Sequence, residues 1–188
     1  AFNPWPYTLT RLCFYPDFTN KTNRAESYAR SVAGIQAAGD AKVLPVFLKY
    51  LEQASGLMEK GLELYRTAAL SGPDSKRRQA MREVIIAEQL QRMIQSECAI
   101  LEFEDLRMQR SAEKAAGKAS QILDRMDNIL RDEITRTKLS LLAATKDSRL
   151  GFQQECDYVY TPYSLEEKLE LLRGTLERLI PEARRKMH

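Results

Sequence analysis

The carboxylates are the first residues on which chemistry could rest. Glu102, Glu104 and Asp105 stand close together, as do Asp124 and Asp127, and two such groups can divide the roles of acid and base in a hydrolase. On long polar helices the same groups serve solvation and pairing with cations one turn away. The single histidine is His188, either native or part of a purification tag, so no His-dependent triad or His-rich metal site can be assembled. A di-iron bundle needs Glu-x-x-His on two helices, and the sequence has none. Its 8 glycines are scattered singly, which leaves no phosphate-cradling loop. The 3 cysteines, Cys13, Cys98 and Cys156, show no Cys-x-x-Cys spacing. Spacing gives no reason to expect a Cys13–Cys156 bridge, and Cys98, among apolar helical positions, reads as a small buried hydrophobe. The expected catalytic, cofactor-binding and metal-ligating sets are therefore empty.

Two aromatic segments remain, Phe2 to Phe18 and Phe152 to Tyr163. Aromatic faces beside Glu155 and Asp157 could stack on sugar rings and bond their hydroxyls. The plainer alternative is that Trp5, Tyr7, Phe14, Phe152 and Tyr158 close the ends of a hydrophobic core.

The elements that must position these residues are helices. The opening AFNPWPYTLTRLCFYPDF, with three prolines, predicts an irregular lead-in. Thr22 or Asn23 as N-cap and Gly39 as C-cap bound a helix from about Arg24 to Ala37. From Ala41 to Leu70 the apolar residues Leu44, Phe47, Leu48, Leu51, Met58, Leu62 and Tyr65 recur at helical spacing, with Pro45 in the first turn. SGPDSK stops that helix and starts another, which runs to about Arg110 with a stripe wide enough to meet two neighbours. A further helix, about Glu113 to Lys146, carries Ala119, Ile122, Leu123, Met126, Ile129, Leu130 and Ile134 on one face. After the aromatic interlude, Ser164 and Glu167 suggest a capping box. Leu165, Leu169, Leu172, Leu176, Leu179 and Ala183 then form a heptad seam, which Pro181 should end or kink near Leu179. Helices of about 30 residues span about 45 Å each, and short loops make them an antiparallel bundle. The expected fold is all-α: one helical domain, residues 1–188, with an aromatic lead-in and an aromatic loop before the last helix.

Composition narrows the partners. With 29 basic and 26 acidic residues the net charge is +3, so no basic stripe for nucleic acid is indicated. The runs Lys76 to Arg78 and Arg184 to Lys186 read as solvated helix ends. No stretch reaches the roughly 20 apolar residues of a membrane span. The sequence starts at Ala1 without Met or a secretory pattern, and whatever came before it is expected to have been removed.

NPWPYTLTRLCFYPDF followed by YARSVAG, and more closely DSRLGFQQECDYVYTPYSLEEKLELL, resemble the helical C-terminal region of large bacterial glycoside-hydrolase-like proteins related to alpha-glucuronidases and beta-hexosaminidases. In that family the catalytic carboxylates lie on a barrel, so the resemblance implies a non-catalytic domain packed on a preceding catalytic domain of the same polypeptide. It implies carbohydrate as a ligand class and an extracytoplasmic setting. Arg149, Gly151, Phe152, Glu155 and Tyr158 match its recurring segment and, with Trp5, are the expected docking or sugar-rim residues. The rival expectation is an independent interaction module that forms a homodimer through the Leu165 to Ala183 seam.

Overall fold

The computed structural model describes residues 44–153, 157–158 and 161–186. The aromatic lead-in with Trp5, the helix expected before Gly39, Cys13, Glu155, Cys156 and His188 lie outside the described residues. What is described is an all-α bundle, as its periodicity requires.

Helix α1 spans Leu44–Ser71, α2 Asp74–Ala112 and α3 Ala116–Ala144. A single helical turn, Ser148–Gly151, follows α3. The strands β1, Phe152–Gln153, and β2, Asp157–Tyr158, pair antiparallel with Phe152 opposite Tyr158. Helix α4 spans Pro162–Gly174, a π-helical turn covers Thr175–Leu179, and α5 is Ile180–Arg185. The rods pack in chain order, α1 on α2, α2 on α3, and α3 on α4. The middle two are therefore buried on two sides, whereas α1 sits at an edge with α2 as its main neighbour.

Local chemistry sets the boundaries. Pro73 begins α2, and its carbonyl accepts from the N–H groups of Lys76 and Arg77. Helix α3 starts at Ala116 rather than Glu113, because Glu113 is extended at φ −80 and ψ 126 and its own carboxylate accepts the Ala115 N–H at 2.8 Å. The last helix also starts earlier than the Ser164–Glu167 pattern suggests. Thr161 is its N-cap, bonded reciprocally with Ser164, and Pro162 occupies the first turn, where a missing N–H costs nothing. Before Pro181 the α-helix gives way to a π turn, Thr175–Leu179, and a short α-helix resumes at Ile180. The π turn before it lets the Ile180 N–H reach back to the Thr175 carbonyl, which moves the proline into the first turn of α5 and away from a ladder bond it could not make.

The core lies between α2, α3 and α4. Phe103, Leu123, Met126, Leu130 and Leu172 are fully enclosed, with Ile100, Ile129, Leu169 and Ile180 beside them. Much of the heptad seam packs inside the chain: Leu165, Leu169, Leu172 and Ala183 are buried, while Leu176 and Leu179 are half-covered. Among the described side chains of α1 only Leu62 and Ala69 are buried. Phe47, Leu48, Leu51 and Met58 are half-covered and Tyr65 is exposed, against the expectation of a full core face. An edge helix with one main neighbour can cover no more.

Candidate functional site

Of the carboxylates singled out from sequence, Glu102, Asp105, Asp124 and Asp127 are engaged by cations or amides, and the side chain of Glu104 lies outside the described ones. Arg125 donates to both oxygens of Glu102 at 2.6 and 2.7 Å. Arg184 donates to Asp124 at 2.6 Å, and Gln109 to Asp105 at 2.7 Å. Asp127 is paired with Arg131 one turn on. The arrangement serves helix pairing and salt bridges within each helix.

Glu52, Ser55, Cys98, Glu102, Arg125 and Arg136 are among the residues lining a groove of about 260 Å³ where α1, α2 and α3 meet. Cys98 is half-buried there rather than enclosed, because α1 covers this level of α2 thinly. Burial first, then the charges of Glu52 and Glu97, push its thiol up to about 11. A thiol held protonated at neutral pH is a poor nucleophile. Next to it, burial raises the Glu97 carboxyl to about 7. Its folded value exceeds the ordinary 4.5, so the folded chain keeps a proton that the unfolded chain has lost between those values. Stability must fall as pH rises through that window. Glu97→Gln is expected to raise the unfolding free energy by about 1–3 kcal/mol at pH 8 and to change little at pH 4.5, read by urea denaturation.

A second charged cluster is centred on a fully buried ion pair, and the apolar residues alone gave no sign of it. Glu133 of α3 is completely enclosed and accepts from Lys168 of α4 at 2.5 Å, Ser96 of α2 at 2.7 Å and Arg136 at 2.8 Å. Burial alone would push its carboxyl up, but the charges of Lys168 and Arg136 outweigh that and hold it below the usual range. The cluster joins three helices and reaches the groove only through Arg136; its carboxylate is sealed in the core, and its role is structural.

Of the residues expected at a docking or sugar rim, Phe152 and Tyr158 are brought opposite one another as partners in the hairpin. Arg149 is 44% exposed, yet its donors are engaged within the chain. Its Nε and Nη2 donate to Asp147 at 3.0 and 2.7 Å, and its Nη1 donates to Glu83 of α2 at 3.0 Å. The Arg149 bonds hold the Asp147 carboxyl far below its ordinary range. This strap ties the segment after α3 to α2, and with Arg78, Gln79 and Arg82 it encloses a cleft of about 320 Å³. Arg78 belongs to the run read from sequence as a solvated end; Arg77 of that run pairs with Asp74.

No family model, curated protein or solved structure matches this chain. Nothing in those comparisons ties it to glycoside-hydrolase-like proteins. Among the described residues no group of His, Cys, Asp and Glu side chains could hold a metal ion, and no helix is long and apolar enough to cross a membrane.

The largest departure from a self-contained surface is on α1. Val46, Tyr50, Leu57 and Leu64 are 53, 64, 70 and 73% exposed. At 100° per residue they fall on one narrow stripe, opposite the buried Leu62.

Proposed function

We infer that this chain is a non-catalytic helical interaction module that pairs with a second copy of itself along α1. The observation that carries the reading is the outward stripe Val46, Tyr50, Leu57 and Leu64, too regular for scattered surface leucines. Tyr50, Leu57 and Leu64 repeat every seven residues, the period of a coiled-coil seam. Charge selects the partner. Exposed Lys49 and Glu63 flank the stripe two heptads apart on one edge, so in an antiparallel pair each lysine meets the glutamate of the other copy. The same register sets Val46 against Leu64, and Gln53 against Leu57. A two-fold interface of this kind is self-complementary.

Sedimentation equilibrium tests it. The chain is expected to dimerise at or below about 100 μM, an affinity of about 5.5 kcal/mol or better. Leu57→Glu is expected to give a monomer whose melting temperature equals that of wild type at concentrations below dimerisation, since Leu57 touches solvent rather than core, and falls behind it as concentration rises. A wild-type monomer throughout that range, or a dimer indifferent to Leu57→Glu, would overturn the pairing.

A second reading, implied by the resemblance, packs the chain on a preceding carbohydrate-active domain. The observation in its favour is Tyr163, 76% exposed in the first turn of α4, beside the matching segment. On that reading Tyr163→Ala weakens sugar binding by the whole polypeptide and leaves bundle stability alone.

A further inference from the structure

The cleft at the start of α2 carries more positive charge than the fold requires. Arg78 and Arg82 stand one turn apart, so both project over the same face of the helix. Arg149 enters from the far side, on the helical turn after α3. Its guanidinium is fixed from behind. Asp147, whose side chain is 3% exposed, takes two of its N–H groups and also the Arg149 backbone N–H at 3.0 Å, while Glu83 takes a third. Asp147 and Glu83 are thereby satisfied. Arg82 approaches Asp147 only to 3.6 Å, within ion-pair range but too long for a hydrogen bond. Arg78 has no hydrogen bond or ion pair with another described residue. Three guanidiniums meet two carboxylates, Glu83 on the wall and Asp147 behind Arg149, which leaves a surplus of one positive charge, and two of the three guanidiniums have donors to spare.

The geometry points to an anion site: the cleft binds the phosphate group of a small phosphomonoester. Planar guanidinium forks match phosphate oxygens, and those bonds are among the stronger ones proteins make. A phosphomonoester presents three acceptor oxygens and nearly two negative charges at neutral pH, enough to engage the spare donors of both Arg78 and Arg82; a carboxylate presents two oxygens and one charge. At about 320 Å³ the cleft is at the small end of small-molecule sites, about 300–1,000 Å³, leaving room for an organic body beyond the phosphate. Gln79 on the wall offers that body both a donor and an acceptor. The lining supplies no hydroxyl or thiol nucleophile and Glu83 is already bonded, so the site binds and does not hydrolyse.

Calorimetric titration of the full chain with phenyl phosphate, inorganic phosphate and benzoate at matched ionic strength tests this. Phenyl phosphate is expected to bind at least about tenfold tighter than benzoate, and Arg78→Ala to weaken it about tenfold, the worth of one charged hydrogen bond. Arg78→Ala should leave the melting temperature unchanged, because that side chain has no partner in the described fold; Arg82→Ala should act in the same direction on binding. Equal affinity in wild type and Arg78→Ala would overturn the site. Benzoate bound as tightly as phenyl phosphate would overturn its phosphate chemistry, and inorganic phosphate bound as tightly would overturn the role of the ester body. Binding to phosphatidic acid vesicles without binding to phenyl phosphate would overturn the small-molecule assignment in favour of a lipid surface.

Discussion

Lys168→Met is expected to lower the unfolding free energy by about 3–5 kcal/mol, the cost of leaving a buried charge without its partner. Glu133 has no solvent contact and Lys168 is 5% exposed, so no water can replace the lost ammonium. Arg136 would remain on one oxygen and Ser96 would still bond the other, which keeps the loss below the full desolvation of a lone carboxylate. Urea denaturation at pH 7 measures it. The double variant Glu133→Leu, Lys168→Met is expected to recover most of the loss, because an apolar pair of similar volume often replaces a buried ion pair at little cost. Arg136, 19% exposed, can then turn to solvent. If the single variant lost less than about 1 kcal/mol, the pair would be hydrated and its role in the core would fail. The sign with pH is also fixed. A carboxyl held low contributes stability above its unfolded pKa and loses it as pH falls through the folded one, so acid should narrow the gap between wild type and the double variant.

The network shows what reading the sequence by apolar spacing captures and what it passes over. The buried stripe of α3 was legible as Ala119, Leu123, Met126 and Leu130, and it continues at the same spacing through Glu133, Thr137 and Ser140, all buried. Those three polar residues sit where the helical period demands burial, and that was the available signal. Following only the hydrophobic members of the stripe discards it. Lys168 was equally placed, three residues after Leu165 and one before Leu169 on the inward face of α4. By contrast, nothing in the spacing could have joined Arg78 and Arg82 to Arg149. They meet because α2 and α3 run antiparallel and the turn after α3 returns to the start of α2, a tertiary fact that local pattern does not encode. The exposed face of α1 is a third case. Its inward and outward apolar residues interleave so evenly that only the count of neighbours, set by its edge position, decides which are buried.

Leu172→Ala is expected to cost about 2–5 kcal/mol, the range for emptying a leucine site in a packed core. Leu172 is fully enclosed, at the point where α4 meets Phe103 and Leu123 within one apolar cluster. Its neighbours on α4, Leu165 and Leu169, face the same way, so the helix cannot roll to fill the void without exposing them. The π turn just beyond it adds a second restraint, since Thr175 is buried and donates to the Leu171 carbonyl. Both features argue for the upper half of the range, because sites that cannot collapse keep their cavity. Chemical denaturation at two protein concentrations separates this contact from the pairing along α1. The loss from Leu172→Ala should be the same at both, since the seam is intramolecular, whereas the effect of Leu57→Glu should grow with concentration. A loss below about 0.5 kcal/mol, usual for surface positions, would mean that α4 does not close the core. A loss that varied with concentration would instead place the Leu165 to Ala183 seam between copies and displace α1 as the dimer surface.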